Sequence, residues 1–112
     1  MATSRSPEWT ARALLFSGRP DPTWPVPESA ATEVYALWAA LDPWSGAPSA
    51  APPLGYRGCI LRAPDGREWM AFGGAVTLTT PEEVDVRSDP ERAFERRLLD
   101  SAPPNLLPPL EF

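Results

Sequence analysis

The chain has no histidine, no lysine and no glutamine, and a single cysteine in 112 residues. Without histidine, neither a Ser-His-Asp nor a Cys-His arrangement can form within this chain, and a His-ligated metal site is equally excluded. The lone Cys59 rules out an internal disulfide and a thiolate zinc or iron–sulfur centre, and it suits a reducing cytoplasm. All ten basic residues are arginine, against fifteen Asp and Glu, and the net charge is −5. That balance is poor for gripping nucleic acid or an anionic membrane, which both need clustered cations. No apolar run approaches the ~20 residues of a spanning helix, and Met1 to Glu8 holds no apolar leader segment. The glycines at 55, 58, 73 and 74 match neither a P-loop nor a dinucleotide fingerprint. The expectation is a cytoplasmic protein with no cofactor, no metal, no nucleic acid and no membrane.

Proline is abundant, with sixteen in the chain, and three of them stiffen one stretch. Phe16-Ser17-Gly18-Arg19-Pro20-Asp21-Pro22-Thr23-Trp24-Pro25 follows the apolar run Ala13-Leu14-Leu15-Phe16. Proline fixes its own φ and pushes the preceding residue toward extended conformations, so positions 19 to 25 read as a rigid, polyproline-like path. A strand over Trp9 to Phe16 should leave its sheet there, because proline cannot donate to a ladder. The stiff exit holds Arg19, Asp21 and Trp24 in fixed directions.

One domain is expected over residues 1–112, with a frayed N-terminus at 1–8. The clearest helix runs from Glu28 to Leu41, where Val34, Leu37, Trp38 and Leu41 recur at i, i+3, i+4, i+7 and Asp42-Pro43 stops it. Residues 43–53 read as a Pro/Ala/Ser surface loop whose one large apolar group is Trp44. Tyr56 to Arg62 and Arg67 to Phe72 flank Ala63-Pro64-Asp65-Gly66, a hairpin turn by its chemistry. Gly73-Gly74 marks a bulge or bend before Ala75 to Thr79 continues as strand, and Val84 to Arg87 adds a short edge strand. Ser88-Asp89-Pro90-Glu91 opens a second helix with Ser88 and Glu91 spaced as a capping box, and Phe94, Leu98 and Ala102 form its apolar face. Pro103-Pro104 ends it, leaving an extended Pro/Leu tail over 103–112. The fold class is α+β in the order β-α-β-β-(β)-α: a small antiparallel sheet of three to four strands with two helices packed on one face.

Seven residues stand out as candidates for binding a ligand or partner. Ser17, Gly18 and Arg19 combine a glycine turn with a guanidinium, an arrangement that suits an anion, against a structural reading in which Arg19 pairs with Asp21 or a helix end. Trp24 is either a partner anchor or a lid on the core, and Trp44 is the tryptophan expected to be most exposed. Arg57 lies between Gly55 and Gly58, where small neighbours let a ligand or another backbone approach. Cys59, in mid-strand, reads as a buried and inert thiol. The acidic run Glu82, Glu83, Asp85 reads as a solvated turn rather than a hard-cation site. Arg92, Arg96 and Arg97 are offset by neighbouring acids and read as helix-surface pairs, Asp89 with Arg92 and Arg96 with Asp100.

Phe16 to Trp24, Gly55-Tyr56-Arg57-Gly58, the Gly73-Gly74 step and the Asp89 to Arg96 helix start together resemble a family of small proteins of unassigned function. Its pattern is FSGRP(D/N)PxW, then GYRG, then a D-P-x-R-x-x-E-x helix. The resemblance implies one compact domain and brings no activity, cofactor or catalytic residue with it. From the residues themselves, two functions remain open. One is a non-catalytic binding or accessory module docking on another protein or a small anionic ligand. The other is a small enzyme using carboxylate and arginine chemistry, either alone or with a site completed by an oligomer partner. A deep pocket converging on Arg19, Arg57 and a carboxylate of raised pKa would mark the enzyme. An exposed apolar patch would mark the module.

Overall fold

Alternation along the strands decides the architecture, because successive side chains of a strand point to opposite faces. The computed structural model describes residues 8–15, 21–44 and 56–107. Within them six strands form one sheet: β1 (Trp9–Ala13), β2 (Thr23–Val26), β3 (Cys59–Arg62), β4 (Glu68–Phe72), β5 (Ala75–Thr79) and β6 (Val84–Ser88). Their order across the sheet is β2-β1-β3-β4-β5-β6, and every neighbouring pair is antiparallel. Ala11, Ala13, Trp24, Val26, Cys59, Leu61, Trp69, Ala71 and Val76 line one face and are buried. The helices α1 (Glu28–Ala39) and α2 (Ala93–Asp100) cover that face. The α+β class and the two helices on one side therefore hold, but the sheet has six strands where three to four were expected.

Two local features account for the difference. The first is β2, which lies in the proline-stiffened segment expected to run outside any sheet. Ala13 N–H bonds the Pro22 carbonyl at 3.1 Å, so residues 22, 24 and 26 turn their backbone groups to β1, and Thr23 and Pro25 turn theirs outward. Pro25 thus occupies the one register at which a missing N–H costs no ladder bond, at the outer edge of the sheet. The second is Gly73-Gly74, which is a two-residue hairpin turn rather than a bulge. Phe72 pairs directly with Ala75, and both glycines have positive φ, 63° and 92°, as this tight turn demands. The expected hairpin between β3 and β4 is present, with Gly66 at φ 96° and Asp65 Oδ1 accepting the Arg67 N–H at 3.0 Å.

Helix α1 buries Ala30, Ala31, Val34 and Trp38, while Leu37 and Leu41 of the predicted stripe are partly buried, and it ends at Ala39, three residues before Asp42-Pro43 and two short of the expected Leu41. Arg87 closes that end: it donates to the Trp38 carbonyl at 2.9 Å and lies 4.1 Å from the Trp38 ring. The loop expected at 43–53 begins instead by pairing with β6. Ser88 N–H bonds the Asp42 carbonyl, Trp44 N–H bonds the Val86 carbonyl, and Pro43 bridges Arg87. Residues 45–55 lie outside the described residues. Past α2, residues 103–107 fold into turns, with Asn105 left-handed at φ 67°, and Leu107 packs on the core. The extended path expected of the tail is not found there, because the Pro103 carbonyl accepts the Leu106 N–H at 3.2 Å.

Candidate functional site

One end of the sheet gathers most of the chain's unusual chemistry. There β1 leaves, β3 enters, β4 turns into β5 and β6 runs into α2. Leu14 N–H bonds the Gly58 carbonyl at 2.9 Å and Arg57 N–H bonds the Leu14 carbonyl at 2.8 Å, extending the β1–β3 ladder past its strands. Leu15 N–H bonds Asp21 Oδ1 at 2.9 Å, and Asp89 N–H bonds the Gly74 carbonyl at 2.7 Å. Gly58 is required by β4: a Cβ on it would stand 2.7 Å from the Ala71 carbonyl oxygen and 2.8 Å from Met70 Cε. The small residue beside Arg57 therefore accommodates the neighbouring strand, one of the two close approaches its sequence allowed.

The start of α2 departs from the expected capping box. Glu91 and Arg92 both adopt left-handed backbone, at φ 57° and 58°, which costs non-glycine residues roughly 1–2 kcal/mol each. Ser88 and Glu91 make no cap. Asp89 does the capping from within, its Oδ1 accepting the Phe94 N–H at 2.8 Å and its Oδ2 the Glu95 N–H at 3.2 Å. The same backbone turn brings Arg92 over Glu95, not Asp89, with bonds of 2.8 and 2.9 Å to the two carboxylate oxygens. Tyr56 O–H donates to Glu95 Oε2, and its ring packs against Phe72 with centroids 6.2 Å apart. Arg92 also lies 5.7 Å above the Phe72 ring. The Cys59 thiol reaches the Glu95 carbonyl at 3.9 Å.

Burial governs how Asp89, Tyr56 and Cys59 titrate. Asp89 is buried, and desolvation raises its carboxyl above the usual range despite the two amide bonds. Desolvation also pushes up the Tyr56 phenol, helped by Cys59 and Glu95 beside it, and it pushes up the Cys59 thiol. Glu95 is fully buried with both oxygens engaged. The cluster therefore offers no thiolate at neutral pH, no phenolate, and no carboxylate oxygen without a donor. Chemically it can hold Tyr56 and the β3 entry in one position, with both oxygens of Glu95 and both of Asp89 already accepting bonds.

The seven sequence candidates separate. Ser17, Gly18 and Arg19 lie outside the described residues. Asp21 and Arg57 meet at this end of the sheet through their bonds to Leu15 and Leu14. Trp24 goes into the core at 1% exposure, and its Nε1–H donates to Ser101 Oγ at 2.9 Å, so it acts as the lid that its sequence also allowed. Trp44 is half-buried on the far side of β6, at the opposite edge from β2. Glu82 and Glu83 are exposed in the β5–β6 turn, Asp85 pairs with Arg87 at 3.1 Å, and among the described residues no group of three Cys, Asp or Glu is placed to hold a metal ion. No helix among them is long and apolar enough to cross a membrane. Sequence reasoning missed the buried Asp89 and Glu95 and the half-buried Arg92 as one unit. The signal was present: Glu95 sits three and four residues before Leu98 and Leu99, on the apolar stripe that also carries Phe94. The chain matches no protein-family model, no curated protein and no solved structure.

Proposed function

We propose that the chain is a non-catalytic binding module that docks on another protein or a small anionic ligand, with the sheet end around Asp21, Tyr56 and Arg57 as its recognition surface. One observation carries the reading: the ionisable groups gathered there are spent on structure. Glu95 has both oxygens engaged and Asp89 caps a helix. The Cys59 thiol is buried and held protonated. A carboxylate of raised pKa does exist, as an enzyme would need, but it is Asp89 and it faces backbone amides. What this network provides instead is a rigid platform, and rigidity lowers the entropic cost of docking. A cytoplasmic setting suits the single buried thiol.

The test compares capture of partners by the intact chain and by Arg57→Glu, with circular dichroism confirming that both are folded. The expected result is a protein retained by the parent chain and lost by the variant. Turnover of any ester, amide or phosphate substrate by the purified chain would overturn the reading, as would an identical set of retained proteins on both baits.

A further inference from the structure

The face of the sheet turned away from the helices carries a groove of about 130 Å³. It lies over β2, β1, β3 and the start of β4, and Thr10, Arg12, Thr23, Ile60, Arg62 and Glu68 line it. Register explains the composition. Arg12 stands between Thr23 of β2 and Ile60 of β3, Thr10 stands opposite Arg62, and Arg62 stands opposite Glu68. These alternate with the buried Ala11, Ala13 and Leu61 of the same strands, so all six point outward.

Arg12 is the exception among the arginines of the described residues. Arg62, Arg67, Arg87, Arg92 and Arg97 each hold a carboxylate within 3.1 Å, and Arg57 and Arg96 are also engaged. Among the described residues Arg12 has no hydrogen bond, ion pair or ring contact. In a chain of net charge −5 carboxylates are in excess, yet this exposed guanidinium lines an open groove without one, where an acid from outside the chain can reach it. A planar guanidinium fork matches a carboxylate through two parallel bonds. Arg62 lies diagonally across the β1–β3 pair, where Cβ atoms are roughly 7–8 Å apart, close enough for both guanidinium groups to face one small anion. Glu68 fixes Arg62 at 2.7 Å, and its own charge repels a doubly charged guest. The hydroxyls of Thr10 and Thr23 supply further donors, and Ile60 supplies an apolar floor. The space is well above the roughly 10–15 Å³ that one ordered water needs by the same measure, enough for one short carboxylate.

We propose that this groove binds a small monocarboxylate, with Arg12 as its principal ligand, Arg62 as a second donor and Ile60 under the short apolar body. The assignment goes beyond the binding-module reading, adding a ligand site separate from the sheet end around Asp21, Tyr56 and Arg57. The test is a ¹H–¹⁵N NMR titration of the full chain with sodium propionate, against sodium phosphate and sodium chloride at matched ionic strength. The expected result is saturable shifts confined to β1, β2 and β3, with phosphate weaker than propionate. Arg12→Ala should weaken propionate by at least about tenfold, the effect of losing a charge-assisted bond. Arg12→Lys should fall between, and Arg97→Ala, on the helix side, should match the parent. No saturable shift up to about 50 mM propionate, equal shifts in Arg12→Ala, or phosphate binding as tightly as propionate would each overturn the assignment. Absence of binding with partner capture intact removes the groove alone. Chemical conversion of the carboxylate in the sample would sink the binding-module reading and leave the groove occupied.

Discussion

The two faces of the sheet are made by the same strands and behave as different materials. On the helix side Trp24, Leu61, Trp69 and Val76 are fully buried, and the carboxylates that join them, Glu95 and Asp89, accept a bond on every oxygen. One residue along each strand, the outer face mixes Thr10, Arg12, Ile60, Met70, Thr77 and Val86, all partly or largely exposed. A one-residue slip of any pair would exchange the two sets, so the register is fixed by burial rather than by the turns alone. The contrast also sorts chemistry. Among the described residues the charged groups of the inner side are committed to holding the molecule together, with the Trp69 Nε1–H the one buried side-chain donor left without a partner, while the outer side keeps an arginine with unused bonding capacity.

The largest effects should come from the inner side. Phe94 is fully buried between α2 and the sheet, and Phe94→Ala should cost about 3–5 kcal/mol. Ile60→Ala, on the opposite face of β3, should cost no more than about 1 kcal/mol because the site is already half-open. Urea unfolding of both variants checks this, and equal losses would end the comparison. Glu95→Ala comes next, at about 2–3 kcal/mol. Removing one partner of a fully buried pair costs roughly 3–5 kcal/mol, but Arg92 keeps 25% side-chain exposure and can turn to water.

Alkaline pH offers a smaller and more specific probe of the inner side. Cys59 and Tyr56 are both pushed above their ordinary values of 9.0 and 10.0, chiefly by burial. The folded chain then keeps protons that the unfolded chain releases. Their contribution is therefore fully present below pH 9 and lost as pH rises beyond it, at about 1.4 kcal/mol per pH step for each group. Urea midpoints from pH 8 to pH 11 should fall in two stages. Cys59→Ala should remove the first stage and Tyr56→Phe the second. A flat profile would mean that neither group is as secluded as its surroundings indicate.

Local signals were the legible part of this fold. The α1 stripe, the Pro64-Asp65-Gly66 turn, the buried Cys59 and the helices on one face all follow from residues close in sequence. Pro25 and Gly73-Gly74 were misread because each residue type has two structural uses, and only the partner strand selects between them. Proline marks an exit from a sheet or sits at its outer edge; a glycine pair bends a strand or reverses it. The Asp89 cap was hidden because Ser88 and Glu91 satisfy the capping spacing, whereas two left-handed residues put Asp89 beneath the helix instead. The groove around Arg12 had no sequence signature at all. Its members are neighbours only through the β2-β1-β3-β4 register.

The smallest expected effect tests how the sheet edges differ. At β6 the edge is covered by chain, through the bonds of Asp42 and Trp44 to Ser88 and Val86. At β2 it is blunted by Pro25, which shows neighbouring molecules no N–H. Because Pro25 faces outward, Pro25→Thr adds an exposed donor without removing a ladder bond to β1. Stability should change by less than about 1 kcal/mol, the unfolded chain gaining a little freedom as proline is lost. Self-association should rise, since the edge then offers an uninterrupted row for strand pairing. Sedimentation velocity over a range of concentrations reads it, with thermal melts run in parallel. Association equal to that of the parent would mean the proline is not what protects this edge. A stability loss above about 2 kcal/mol would instead show that the Pro25 backbone faces β1, and the register of the first two strands would have to be redrawn.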